Sequence, residues 1–207
     1  MMALTEIRRG VPEGAEGRVA ELYWESFGRK LGPALGPAEA GRAFLAAHLH
    51  RDRAVVALRE GRVVAVGGYK TADGRGLAGG GAVDVLRAYG PVRGLPRLAL
   101  LALLERDAAR GEMVMDGLAV APELRGLGIG ARLLREVYAV AAEHGCDRLR
   151  LDVIDVNPRA RALYERQGFR ATATQRTPFL RDLMGFEAVT TMHRPLTAAD
   201  RTPGATS

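Results

Sequence analysis

Apolar residues recur along this chain with two periods, and each period predicts a different element. Spacings of three and four place an amphipathic helix over 13–29, carried by Val19, Leu22, Tyr23 and Phe27. A second helix falls at 37–50 with Phe44, Leu45 and Leu49. Alternation predicts strands at 5–9, 54–58 and 62–68, the last two joined by the hairpin turn Glu60-Gly61. A further apolar run, 112–120, feeds a glycine-rich turn. It is followed by a helix over 127–144 whose stripe is Ile129, Leu133, Leu134, Val137, Tyr138 and Ala141. Leu149, Leu151 and Val153 alternate through a strand at 148–154. A short helix at 158–167 opens on Pro158, where a missing N–H costs nothing, and Gly168 ends it. Strands at 169–173 and 186–193 complete the pattern, and the segment from Thr197 on is expected to fray.

The order predicts an α/β fold of mixed type, in which a sheet is flanked by helices. Residues 1–196 read as one domain and 197–207 as a tail. Residues 71–111 interrupt the pattern, because about 40 residues is well beyond an ordinary loop. They hold the run Ala78-Gly79-Gly80-Gly81 and predicted helices at 82–89 and 95–109. Leu95, Leu98, Leu101, Leu103 and Leu104 give this insertion a broad apolar surface, and Arg87, Tyr89, Arg93 and Arg97 give it polar chemistry. It either extends the core or walls a pocket.

Composition narrows the class. The chain has 207 residues, 47% hydrophobic and 26% charged, within globular values. The formal charge is +6. Lys30 and Lys70 are the only lysines, and the arginines are scattered, so no basic arm for nucleic acid emerges. One cysteine, Cys146, excludes an internal disulfide, and the four histidines form no zinc spacing, so no metal is expected. The first nine residues lack an apolar signal core, and the most apolar run, 98–104, is too short to span a bilayer. A cytoplasmic protein without a membrane partner is the expectation.

Two segments carry chemistry. The first is Arg125-Gly126-Leu127-Gly128-Ile129-Gly130-Ala131, between strand and helix. Its glycines strip side chains from the turn, so a ligand can reach backbone N–H groups at the positive end of the helix dipole. Arg125 adds a charge. A phosphate or pyrophosphate fits this turn. A P-loop does not, because Ala131-Arg132 stands where Lys-Ser/Thr belongs. A dinucleotide fold fits poorly, although Asp152 stands where its ribose acid would be. The second segment is Asn157-Pro158-Arg159-Ala160-Arg161-Ala162-Leu163-Tyr164, which continues to Gly168-Phe169.

Together the two segments resemble the GNAT N-acetyltransferase superfamily, well over 112–170 and loosely elsewhere. The resemblance implies a central mixed, mostly antiparallel sheet flanked by helices. It also implies direct attack of a primary amine on the thioester of acetyl-CoA. Backbone groups of Leu118, Ala119 and Val120 would bond the thioester and pantetheine, and Arg125 to Ala131 the pyrophosphate. Asn157 and Arg161 would also meet the cofactor, with Asn157 equally readable as a helix cap. Tyr164 matches the family tyrosine that protonates the leaving thiolate, and otherwise reads as a core aromatic. Glu112 stands thirteen residues before Arg125, the offset of the catalytic glutamate in several relatives. Asp116 shares its strand face if no bulge intervenes. The base is Glu112, Asp116 or water. The acceptor is a small amine, a protein N-terminus or a lysine, and a homodimer is one option. Two other readings stay open, a non-catalytic acyl-CoA-binding module of the same fold and a nucleotide-dependent oxidoreductase.

Overall fold

The computed structural model describes residues 4–105, 107–178 and 181–201. Seven strands form one sheet in the order β1-β2-β3-β4-β5-β7-β6. They are β1 (Thr5–Arg9), β2 (Ala54–Arg59), β3 (Arg62–Lys70), β4 (Glu112–Val120), β5 (Arg148–Ile154), β6 (Arg170–Arg176) and β7 (Ala188–Pro195). Only β4 and β5 run parallel. The sheet is therefore mixed and mostly antiparallel, as expected.

Helices cover both faces. Helix α4 (Ile129–Glu143) lies on one, where its Val137 comes near Gly67 of β3. Its whole expected stripe is buried, from Ile129 through Ala141. Helix α1 (Glu16–Leu35) lies on the other, with Tyr23 and Phe27 against Gly117 of β4. Helix α2 (Ala38–Ala47) packs on α1, with Phe44 and Leu45 buried. α1 continues six residues beyond the predicted end at 29. Pro33 sits in its last turn, and burial of Ala34 and Leu35 offsets the disruption proline brings to a helix.

The insertion forms helix α3 (Ala82–Leu104), broken at Gly90, whose φ of 73° is non-helical. Pro91 follows the break and opens the second half. Both halves return to the end of α1. The Tyr89 hydroxyl donates to the Leu35 carbonyl at 2.5 Å, and Arg97 donates to that of Ala34 at 3.0 Å. The Arg97 guanidinium also stacks on the Tyr89 ring at 4.4 Å. The predicted second helix thus ends at Leu104 instead of 109. Leu98 and Leu101 pack against the core, Leu95 stays exposed, and the side chains of Leu103 and Leu104 lie outside the described part.

Helix α5 (Pro158–Arg166) connects β5 to β6, and helix α6 (Arg181–Met184) precedes β7. The predicted strand at 169–173 runs instead over Arg170–Arg176, every residue of it exposed at the sheet edge. Past β7 the chain makes a 3-10 turn, Ala198–Arg201, at the start of the expected tail. Asp200 accepts from the Thr197 backbone at 2.7 Å and pairs with Arg194 at 3.0 Å. The rest of the expected tail, 202–207, lies outside the described residues. No described helix is long and apolar enough to cross a membrane.

Candidate active site

The glycine turn is built as an open backbone cradle. After β4 the chain makes one 3-10 turn, Pro122–Leu124, and enters α4 through Arg125 to Gly128. Gly126 (φ 84°) and Gly128 (φ 76°) both adopt the left-handed region, and nothing stands within 4 Å of where a Cβ of either would be. Gly128 is the N-cap and supplies no side chain to the helix start. The N–H groups of Ile129, Gly130 and Ala131 therefore lack helical acceptors and point outward at the positive end of the dipole. Gly130 serves differently. A Cβ there would lie 3.3 Å from Leu118 Cδ2 and from Leu163 Cδ2, so its bareness lets α4 press onto β4 and α5. Arg125 folds back, its Nε donating to the Val120 carbonyl at 3.0 Å. Leu127 stands half exposed at the rim.

Next to the cradle the sheet opens. β4 and β5 pair from Glu112–Arg148 to Met115–Leu151 and no further. On its other edge β4 remains bonded to β3, up to Val120 opposite Ala65. Leu118, Ala119 and Val120 therefore keep one edge in the sheet and turn the other toward the gap. Asn157 and Tyr164 belong to α5, whose Leu163 neighbours Gly130 of the cradle. The Asn157 Oδ1 accepts from the Ala160 N–H at 3.2 Å, so it is the helix cap, with its amide nitrogen still to spend. Arg161 is exposed and paired with Glu165 at 2.9 Å. Tyr164 is buried with its ring edge-on to Phe169 at 5.8 Å, and burial pushes its phenol up to about 12.

Glu112 and Asp116 do not share a site. Gly68 stands opposite Gly117 while Tyr69 stands opposite Met115, so Asp116 is a bulge residue with no partner on β3. Four residues of extended strand separate the two carboxylates, and each meets different partners. Glu112 is buried at the far end of β4. Its Oε2 meets Arg148 at 3.4 Å, and its Oε1 lies 3.4 Å from His193 Nε2. That second contact is an ion-pair distance without hydrogen-bond geometry, which leaves Oε1 without a hydrogen bond. His193 is held in turn by the Thr172 hydroxyl at 2.8 Å.

Asp116 instead faces a cavity of about 390 Å³ that Glu112 does not line. Its walls come from α1 (Tyr23, Lys30, Leu31), α2 (Phe44, Leu45) and β4 (Val114, Met115). The insertion adds Gly74 to Gly76, Ala78 to Gly80, Leu101 and Glu105. Arg87, Tyr89, Arg93 and Arg97 do not line it. The strap before α3 closes on Asp116 directly. The Leu77 N–H donates to its Oδ2 at 2.7 Å, and a Cβ on Gly76 would collide with that oxygen. His50 anchors the strap, its Nδ1 meeting the Gly76 carbonyl at 2.8 Å. Burial raises the Asp116 pKa above the usual carboxylate range, opposed by the Leu77 hydrogen bond and by Lys70, Lys30 and His50. Lys70 is buried and shared between Glu105 at 3.4 Å and Asp107 at 3.3 Å. Asp152, considered above as a ribose ligand, lines this cavity and accepts from the Thr191 hydroxyl at 2.6 Å.

Sequence reasoning missed Tyr23, Lys30, His50 and Lys70 as lining residues. Tyr23 read as one member of a helical core stripe, and nothing local marks the others. Among the described residues no group of three or more His, Cys, Asp or Glu is placed to hold a metal.

The chain is similar to known proteins in sequence and in fold. A 54-residue segment is 44% identical to the thialysine N-epsilon-acetyltransferase of Bos taurus, covering 26% of this chain and 32% of that protein. A 76-residue segment is 42% identical to the mycothiol acetyltransferase of Beutenbergia cavernae, covering 37% of this chain and 25% of that one. The matched segments thus span about a third or less of these curated relatives. Among solved structures, a polyamine N-acetyltransferase of Drosophila melanogaster superposes with a TM-score of 0.59 at 21% identity, over 93% of this chain and all of that one. The model of the acetyltransferase (GNAT) family matches residues 17–169. With that match over most of its length, the chain belongs to the GNAT acetyltransferase family.

Proposed function

We propose that this protein moves an acetyl group from acetyl-CoA to a primary amine by direct attack on the thioester. The observation that carries the reading is the gap between β4 and β5, which opens onto an uncapped helix N-terminus on one side and onto the Asp116 cavity on the other. The cradle of Gly126, Gly128 and the α4 amides suits the pyrophosphate of the donor. Arg125 at the rim and Arg161 on α5 supply charge near it. The gap-facing backbone of Leu118, Ala119 and Val120 suits the pantetheine and the thioester oxygen, where donors stabilise developing negative charge. Asn157 offers its amide nitrogen to the same chain.

The acceptor enters through the cavity. Its nitrogen attacks the thioester carbon, the C–N bond forms and the C–S bond breaks. The nitrogen gives up a proton to Asp116, and the departing sulfur takes one from the Tyr164 hydroxyl. A buried phenol keeps its proton through the physiological range, and a buried carboxylate with a raised pKa is a better base than an ordinary one. Asp116 suits the base role through its place in the cavity. Glu112, held by Arg148 and His193 away from that cavity, suits a structural role.

The test is free-thiol release from acetyl-CoA with a panel of primary amines. A family member without transferase activity would bind acetyl-CoA and release thiol no faster with any amine than without one.

Asp116 and Glu112 separate cleanly in two measurements. kcat/KM should rise with pH as Asp116 ionises, and Asp116→Asn should flatten that limb and lower the plateau about a hundredfold. Glu112→Gln should retain the limb. It should change stability by no more than about 1 kcal/mol, because Arg148, the charge left behind, is half exposed and screened by solvent. Stability runs the other way at Asp116. Its carboxyl holds its proton more tightly folded than unfolded, so its contribution is most favourable in acid and is lost as pH rises through the folded pKa. At pH 7 Asp116→Asn should melt no lower than the parent. A pH limb that vanishes in Glu112→Gln and survives in Asp116→Asn would reverse the assignment.

A further inference from the structure

Tyr23 lines the cavity alongside Asp116, with its hydroxyl over the residue that follows Asp116. Tyr23 projects from the middle of α1 and is 6% exposed. Its ring is fixed by Phe27 in a tilted pair at 4.6 Å. Its hydroxyl reaches the β4 backbone just past the bulge. A Cβ on Gly117 would lie 2.9 Å from that oxygen and 2.6 Å from the Phe27 ring. Gly117 is bare where the tyrosine tip comes down, and it follows Asp116 directly. No hydrogen bond to another described residue engages the hydroxyl. Tyr23 and Asp116 line the cavity together, at the point where β4 has parted from β5.

We propose that the Tyr23 hydroxyl is an acceptor-orienting group: with Asp116 it grips the two N–H bonds of the attacking amine and leaves the lone pair aimed at the thioester carbon. This rests on the acetyl-transfer reading above. The reasoning is geometric. A neutral primary amine carries two N–H donors and one lone pair at tetrahedral angles. One acceptor leaves the nitrogen free to swivel, whereas two acceptors on adjoining walls fix the third direction. Orientation of this kind is a large part of what an active site contributes. The group must also stay neutral, because a phenolate beside Asp116 would repel it. Burial raises the Tyr23 pKa well above 10, and the nearby Asp116 and Tyr164 raise it further. The hydroxyl therefore remains an O–H with lone pairs to offer.

Tyr23→Phe keeps the ring, the Phe27 contact and the fit against Gly117. The probes are thialysine, agmatine, ethanolamine and benzylamine, each with acetyl-CoA, and thiol release in water alone is followed alongside. For the best amine, Tyr23→Phe should lose about tenfold in kcat/KM, the worth of one hydrogen bond. Water-driven release should fall by no more than about twofold, because water needs no such grip. Acetyl-CoA affinity, read by calorimetry, should stay within about twofold of the parent. The split between amine and water is the readout that packing alone would not produce. If amine-driven and water-driven release fall together, or neither falls, Tyr23 is a packing residue and the proposal is overturned. If the parent releases thiol no faster with any amine than with water, the acetyl-transfer reading fails first and takes this one with it.

Discussion

Gly128→Val should weaken acetyl-CoA binding by a hundredfold or more. Gly128 caps α4 at φ 76°, with open space where its side chain would stand. That space is where a pyrophosphate would meet the N–H groups of Ile129, Gly130 and Ala131. A valine fills it and covers those donors. Each charge-assisted hydrogen bond lost is worth about 1.5–3 kcal/mol, so losing two accounts for the whole effect. The left-handed backbone adds a cost of about 1–2 kcal/mol to folding, more for a β-branched residue. Gly128→Asn is the companion variant, since asparagine tolerates this conformation while still crowding the amides. It should bind at least tenfold more weakly than the parent in a fold of near-parental stability. At a hundred times Kd the parent gains about 2.7 kcal/mol from the ligand. For a chain of this size that is a rise in Tm of about 5–10 °C, and Gly128→Val should keep no more than about 1–2 °C of it. Unchanged affinity in either folded variant would remove the cradle from the mechanism.

Tyr164→Phe should lower turnover about a hundredfold with little change in acetyl-CoA affinity. The ring stays in place against Phe169, so packing is conserved, and only the proton is lost. An ordinary phenol titrates near 10 and a thiol near 8.5. Burial pushes the Tyr164 phenol up to about 12, which makes it a weaker acid but guarantees that it is protonated. The sign for pH follows. An acid with this pKa loses its proton only as pH approaches 12, so the parent rate should show no alkaline fall between pH 7 and 10 from this group. A slope there would point to another donor. Single-turnover measurement of thiol release isolates the step, and parental rates in the variant would leave sulfur to take its proton from solvent.

Much of this was legible in the chain. The stripe of α4 is long and periodic, so helix, face and buried residues all followed from spacing. Pro158 and Gly168 punctuate α5 within two residues of its observed ends. The glycine turn was visible because left-handed backbone and bare amides need glycine, a local requirement. Other features were not local. The bulge at Asp116 is a property of two strands at once, and no residue in β4 announces it. Helix α1 outran its expected end because tertiary burial of Ala34 and Leu35 overrode Gly32 and Pro33. The cavity draws on α1, α2, the strap and β4, which meet only after folding, so Tyr23 looked like any other buried aromatic. Glu112 was placed by its offset from Arg125. Offset fixes position along a strand but not which neighbours reach it, and Arg148 and His193 come from two other strands.

The parting of β4 from β5 has a consequence for local stability. Beyond Met115 an interior sheet edge is left with backbone groups that have no ladder partner. In the protein alone, gap-facing amides of Leu118 to Val120 should exchange with deuterium through small local fluctuations. Those bonded to β3 should wait for much larger openings. An extended pantetheine laid in the gap would offer the absent partners and slow the first set toward the second. The donor would then act as a removable strand, bridging β4 and β5 only where their own pairing stops, beyond Met115 and Leu151.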